Sequence, residues 1–372
     1  MRYPVRIAHV IGRAVRGGIE SSVLSYYEHI DREKIQYDFL LFDDSTHIPE
    51  ERIHSLGGRI MITPTCGSQP AYQKALRGIF TRNVYPLVHS HISTLSVFPL
   101  FAAWRAGIPI RVSHSHTAAG RGKGETLRNL MKYTLRNFSR TFATHFCACS
   151  RRAGEFQFGK RAMDSGRVKV WPNAIDTGRF AYNEATRAEI RKELGIEGKF
   201  VIGHAGRFVH VKNHDFLLEV FREARKMNPQ TVLLLAGDGP LFNMFRDKVN
   251  ELGLSESVIF AGSVPDIERY YQAMDVFIFP SLYEGLGMSA VEAELSGLPV
   301  VASTELPDDA RFCDNLHFMP LKKSASEWAE EALRISDGHV RRDMSSYARE
   351  AGFDIKVQGA KLSEWYCELL GI

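Results

Sequence analysis

Apolar residues in this chain fall into two alternating patterns. Short runs rich in Val, Ile, Leu and Phe are separated by longer stretches in which apolar positions recur every three to four residues. The first pattern predicts buried strands and the second amphipathic helices. In the first half the predicted strands are Arg6–Ile11, Tyr37–Phe42, Arg59–Thr63, Leu87–His91, Ile110–His114, His145–Cys149 and Val168–Trp171. Helices are expected between many of them, for example at Gly18–Ile30 and Thr126–Thr144. The series restarts with Phe200–Ala205, Thr231–Ala236, Val258–Ala261, Val276–Phe279, Val300–Ser303 and Leu316–Pro320, and is helical after Leu321. Continuous apolar strands alternating with helices imply parallel sheets covered on both faces. Two such series predict an α/β chain of two facing doubly wound, Rossmann-like domains with a cleft between them. The expected domains are 1–175 and 176–354, with a terminal helix over about 355–372 able to pack back on the first. The seam near Pro172–Arg191 is marked by Pro, Asn and Gly interrupting the periodicity.

Composition narrows the classes. At 372 residues, 44% hydrophobic and 24% charged, the chain is neither disordered, collagen-like nor a disulfide-stapled miniprotein. Its formal charge of +4 hides an asymmetry. Residues 1–175 hold 25 Lys and Arg against 12 Asp and Glu, and residues 176–372 hold 22 against 31. A basic half hints at an anionic partner. The five cysteines are Cys66, Cys147, Cys149, Cys313 and Cys367. With no CxxC pair and no spaced His ligands beside them, they read as reduced thiols rather than a disulfide framework or a zinc site. No signal-peptide core and no apolar run of about 18 residues is evident. A cytoplasmic protein is expected, with a peripheral position at the inner face of the membrane left open.

In open α/β sheets ligands bind beyond the carboxyl ends of strands, so those segments carry the candidate chemistry. The first strand leads into Gly12-Arg13-Ala14-Val15-Arg16-Gly17-Gly18-Ile19-Glu20 and then a helix. Paired glycines at a helix start let backbone N–H groups approach an anion. The spacing fits neither GxGxxG nor a Walker A loop, and an ordinary tight turn explains it nearly as well. After the first strand of the second half, Gly206 permits close approach, and Arg207 and Lys212 can both reach one diphosphate. Each charge-assisted contact would contribute about 1.5–3 kcal/mol. Solvated surface cations are the bland alternative. The most informative stretch is Phe279-Pro280-Ser281-Leu282-Tyr283-Glu284-Gly285-Leu286-Gly287-Met288-Ser289-Ala290-Val291-Glu292-Ala293. Here a strand, a Gly-rich loop and a helix start near Gly287 or Met288 lie between two carboxylates, which can bracket a phosphate-bearing sugar.

Together these segments resemble glycosyltransferase family 4, the group 1 enzymes of the GT-B fold that build polysaccharides from nucleotide sugars. The resemblance spans essentially the whole chain. It is most specific at the E-x7-E motif of Glu284 and Glu292, with support from Gly17-Gly18-Ile19-Glu20, the Arg207/Lys212 pair and Pro172-Asn173-Ala174-Ile175-Asp176. It implies that Arg207 and Lys212 neutralise the donor diphosphate and that Glu284 contacts the transferred sugar. Gly285, Leu286, Gly287, Met288 and Ser289 would hold the sugar and distal phosphate, Glu292 the ribose, and the segment around Val264 the nucleobase. On the acceptor side it implies Gly17, which with Gly18 approaches the phosphates, and a His-containing loop matched by Ser113-His114-Ser115-His116-Thr117. His116 is the better match there because Thr follows it. His91, and His89 beside it, also end a strand pointing toward the expected cleft. A strand-end histidine is more often a structural hydrogen bonder than a base.

Three departures stand out. Thr304-Glu305-Leu306-Pro307-Asp308-Asp309 replaces the family's Gly-Gly-x-x-Glu loop, Ala174 replaces the Gly of its PNG triplet, and Asn213 stands where Gly is common. The resemblance implies a retaining hexosyl transfer through a front-face, oxocarbenium-like state. No cofactor and no metal are expected, since the chain contains no Asp-x-Asp triplet. The implied partners are a nucleotide sugar and a glycan or lipid-diphosphate-linked acceptor, not nucleic acid. Arg121, Lys123, Arg128, Lys132, Arg136 and Arg140 interleave with Leu127, Leu130, Met131, Tyr133, Leu135 and Phe138. Such a basic amphipathic helix either lies on an anionic membrane or presents a solvated face. A nucleotide-sugar 2-epimerase remains an alternative. A nucleic-acid binder is a weaker one, because no base-reading helix or aromatic RNA motif is evident.

Overall fold

The computed structural model describes residues 4–15, 18–116 and 125–372. Contacts divide the chain into two compact units, Met1–Ile175 with Gly352–Ile372, and Asp176–Ala351. The first holds a sheet of β1 (Val5–Gly12), β2 (Ile35–Phe42), β3 (Arg59–Thr63), β4 (Leu87–Ser90), β5 (Ile110–Ser115), β6 (His145–Ala148) and β7 (Val168–Val170). Its order is β3-β2-β1-β4-β5-β6-β7, with every pairing parallel. The second unit holds β8 (Phe200–Ala205), β9 (Thr231–Ala236), β10 (Val258–Gly262), β11 (Val276–Phe279), β12 (Val300–Ser303) and β13 (Leu316–Met319). They run in the order β10-β9-β8-β11-β12-β13, again all parallel.

Both orders reverse beside the first strand of the sheet, between β1 and β4 and between β8 and β11. Those are the switch points where adjacent crossovers leave on opposite faces and open a crevice. Their strands are buried on both sides; β2, for example, is buried at every position, which explains its unbroken apolar run.

The helix Ile355–Leu370 begins on Asp354, whose carboxylate accepts from the N–H groups of Lys356 and Val357. Trp365 and Tyr366 enter the first unit's core beside Tyr27, Tyr37 and Trp171. The return starts at Gly352, slightly before the expected 355, because Ile175 N–H donates to Phe353 O and Ile355 N–H to Ile175 O. Ala174, in place of the family's Gly, is buried there. In the second unit, His214–Met227 turns Leu217, Leu218 and Phe221 onto the sheet core with Trp328 of the helix Ala325–Ser336. All five cysteines are free thiols. Among the described residues no helix is long and apolar enough to cross a membrane.

Candidate functional site

In the second unit two of the sequence-predicted donor residues, Lys212 and Glu284, meet at the β8/β11 switch point. Lys212 follows a short turn after β8 and Glu284 sits in the loop after β11; Lys212 Nζ donates to Glu284 Oε1 at 2.7 Å. Their side chains are only 16% and 14% exposed. Lys212 Nζ also lies 4.5 Å from the centre of the Phe279 ring, a cation–π contact at the end of β11. Local geometry explains why these residues meet. Leu282 N–H donates to Val211 O, and Asn213 Nδ2 donates to Pro280 O, tying the two loops together. Asn213 has φ +56°, the left-handed region that favours Gly and that Asn tolerates best among other residues. The departure from Gly therefore keeps the backbone shape and adds a side-chain tie.

Gly206 packs beneath this lysine: a Cβ there would lie 3.3 Å from Lys212 Cε. Arg207, next in the chain, is exposed. Gly287 has φ +84° and caps the helix Met288–Leu295. A Cβ at Gly287 would stand 2.2 Å from Leu306 Cδ1. Leu306 belongs to the unmatched 304–309 loop, so that segment packs against the turn that opens the helix. Gly285, Leu286, Met288 and Ser289 follow the loop into that helix, with Leu286 buried.

Glu292 lies a turn into the helix and accepts from Tyr271 Oη at 2.8 Å. Burial raises its carboxyl to about 7, against the opposing pull of the Tyr271 hydrogen bond, Arg179 and Lys212. Val264 lies in the segment after β10. There Arg179 Nη2 donates to Pro265 O at 3.1 Å and to Glu268 Oε2 at 2.8 Å. Arg179 and Tyr271 carry no mark in the sequence. Neither sits in a motif, and each is brought to the site only by folding of the helices Thr177–Phe180 and Ile267–Ala273.

In the first unit His91 and His116 meet: His91 Nδ1 lies 3.0 Å from His116 Nε2. His116 N–H donates to Ser93 Oγ. Ser93 itself has φ +50° and is held by Gln157 Nε2, which donates to its carbonyl and to Ser113 Oγ. Burial drives His116 down to about 3 and His91 well below its usual value. Both rings are therefore neutral near pH 7 and act as hydrogen-bonding groups, not cations. Gly18 opens the helix Gly18–His29, and Glu20 Oε1 accepts from Val15 N–H across the loop. Gly17, Thr117, Arg121 and Lys123 lie outside the described residues, as do the side chains of Leu127, Arg128 and Lys132. Within the helix Glu125–Thr141, Leu130 and Phe138 are 63% and 54% exposed. Arg136 and Arg140 instead donate to the carbonyls of Phe156 and Gln157.

Comparison with known proteins places this geometry in context. Residues 16–179 match Glycosyltransferase Family 4 and residues 186–351 match Glycosyl transferases group 1. The chain is 35% identical to EpsF of Bacillus subtilis (strain 168), named a glycosyltransferase with no substrate in the name, over 94% of this chain and 93% of EpsF. It is 24% identical to the UDP-Gal:alpha-D-GlcNAc-diphosphoundecaprenol alpha-1,3-galactosyltransferase of Escherichia coli, over 98% and 97% of the two chains. Among solved structures, Anabaena HepE in complex with UDP and glucose superposes with a TM-score of 0.76 at 20% identity, covering 99% of each chain. The two parallel-sheet units are thus those of the GT-B fold.

Proposed function

Because this chain belongs to the family 4, group 1 glycosyltransferases, we propose that it moves a sugar from a nucleoside-diphosphate sugar to a glycan or lipid-diphosphate-linked acceptor. The observation that carries this reading is the Lys212–Glu284 pair at the β8/β11 switch point, beside the helix that opens at Gly287. In the absence of donor the ammonium and carboxylate neutralise each other. A bound donor would divide them, the diphosphate taking Lys212 and the sugar hydroxyls taking Glu284.

Loss of a nucleoside diphosphate builds negative charge on the leaving oxygens, and pre-placed donors stabilise that charge without reorganising. Arg207, Lys212 and the N–H groups at Met288 and Ser289 supply this stabilisation, so no metal is needed at the phosphates in this reading. Gly285 and Leu286 line the sugar, Glu292 receives the ribose hydroxyls, and Val264 flanks the base. In the first unit a neutral His116 gives the transferred sugar a hydrogen-bonding partner, with His91 as its ring neighbour and Gly17 and Gly18 assigned to the acceptor side. No carboxylate nucleophile is assigned, in keeping with a front-face displacement that retains configuration.

Support for a lipid-linked acceptor comes from the Escherichia coli relative, whose name specifies a diphosphoundecaprenol substrate, and from the basic, apolar-studded region 121–140. This reading places the enzyme at the inner membrane face, building cell-surface polysaccharide. A thermal-shift panel of UDP-, GDP- and ADP-sugars tests the donor class. One nucleotide series should raise the melting temperature in a saturable manner; no shift with any of them, together with no nucleotide release, refutes the reading.

A further inference from the structure

Five histidines of the first unit come from three strand ends and pack into one cluster. His9 of β1 is paired in register with His89 of β4. Alternation along a strand puts His89 and His91 on one face, and His114 and His116 on the same face after β5. Their rings stack at centroid separations of 4.2 Å for His89–His91 and 4.1 Å for His114–His116. The ring nitrogens approach closely: His9 Nδ1 to His91 Nε2 at 3.0 Å, His91 Nδ1 to His116 Nε2 at 3.0 Å, and His89 Nε2 to His114 Nδ1 at 3.1 Å. All five residues are buried.

Three properties of the cluster point the same way. Among the described residues no Asp or Glu lines the cavity of about 20 Å³ that these rings share with Tyr37 and Tyr366. His9 Nε2, His114 Nε2 and His116 Nδ1 are buried with no hydrogen-bond partner among the described residues, and a buried polar atom left so is costly. Finally, His9, His89 and His91 each offer a nitrogen within 4.8 Å of the other two, as do His91, His114 and His116. A tetrahedral ion with bonds of about 2.0–2.1 Å spaces its nitrogen ligands at roughly 3.3 Å. Within the first trio, His9 Nδ1 and His91 Nε2, 3.0 Å apart, are within a few tenths of an ångström of that.

We propose that this imidazole cluster binds one divalent first-row transition-metal ion, held by His9, His89 and His91. Imidazole-only sites favour zinc, nickel, copper or cobalt over magnesium or calcium. Of the two trios this one has outer support. Tyr366 Oη stands 2.6 Å from His89 Nδ1, the kind of partner that fixes a ligating ring and leaves its other nitrogen for the ion. His9 is stacked on Tyr37 at 3.7 Å. It also leaves His116 to the sugar. With no carboxylate present, the fourth position takes water, hydroxide or an anionic oxygen. The proposal does not depend on the transfer chemistry, which draws its positive charge from Arg207 and Lys212.

The test uses untagged full-length protein, because a histidine tag binds the same ions. After dialysis against Zn2+ and then metal-free buffer, plasma mass spectrometry should find about one zinc per chain. Co2+ titration should produce the visible absorption of a nitrogen-bound tetrahedral ion. His91→Phe and His9→Phe should weaken binding at least ~100-fold, with circular dichroism confirming the fold, whereas His116→Gln should retain the ion. If either Phe variant fails to fold, the cobalt spectrum of the wild type alone decides. No retained zinc and an aquo-cobalt spectrum overturn the proposal. So does equal binding by His91→Phe, which would mean exposed histidines hold the ion, or loss in His116→Gln but not in His9→Phe.

Discussion

Replacing Lys212 by Ala separates a catalytic role from a structural one. The side chain makes two contacts: the ion pair to Glu284 at 2.7 Å and the cation–π contact to Phe279 at 4.5 Å. Truncation leaves a mostly buried carboxylate without its cation. Breaking a fully buried pair costs about 3–5 kcal/mol; solvent still reaches both partners, so about 1–2 kcal/mol is the fitting estimate. That corresponds to roughly 2–8 °C in the melting temperature of a unit of this size. The effect on turnover has a different origin. Losing one charge-assisted contact to the leaving diphosphate, about 1.5–3 kcal/mol, should lower donor kcat/KM by roughly ten- to a hundred-fold. The assay is nucleotide release under single-donor saturation kinetics, paired with thermal melting. Lys212→Ala combined with Glu284→Gln removes the unpaired charge. It should recover most of the lost stability and none of the lost turnover. Wild-type kcat/KM in a folded Lys212→Ala protein would refute the assignment, and recovery of both quantities in the double variant would show a purely structural pair.

Two further outcomes follow from the site and its surroundings. Glu292, raised to about 7 by burial, must be ionised to accept from ribose hydroxyls, so donor affinity should climb as pH rises through 7 and flatten in Glu292→Gln. The stability effect has the opposite sign: native Glu292 binds its proton more tightly than the unfolded chain does, its contribution is fully present below about 4.5 and is lost toward pH 7, and Glu292→Gln should therefore melt relatively higher at pH 8 than at pH 5. Full-length protein should co-sediment with anionic vesicles at low salt more than with neutral ones, and replacing Leu130 and Phe138 by Ser should reduce that excess; equal sedimentation with both vesicle types would remove the membrane from the proposed function.

How far the site could be read from the chain differs from residue to residue. Arg207, Lys212, Glu284 and Glu292 stand in segments with a local signature: a strand end, a glycine that permits close approach, and a helix start. Such signatures survive in one dimension because each depends on backbone conformation within a few residues. Arg179, Tyr271 and Tyr366 have no such local mark. Arg179 reaches Pro265 across 86 positions, Tyr366 reaches His89 across 277 and Tyr271 reaches Glu292 from a different helix, and only tertiary packing selects them. His9 is intermediate. It lies in a strand that the apolar pattern identifies, but its part in the cluster depends on the parallel register with His89.

The sequence by itself determined the two series of buried strands, the doubly wound class and the candidate phosphate loops, because strand burial and turn chemistry are written in local periodicity and in Gly, Pro and Asn. Tertiary structure alone decided strand order, which places the switch points at β1/β4 and β8/β11. It also decided that Lys212 would close on Glu284, and that five histidines from three strands would share one buried cavity. Those outcomes depend on which strands become neighbours and in what register, and contacts of that kind leave no periodic trace along the chain.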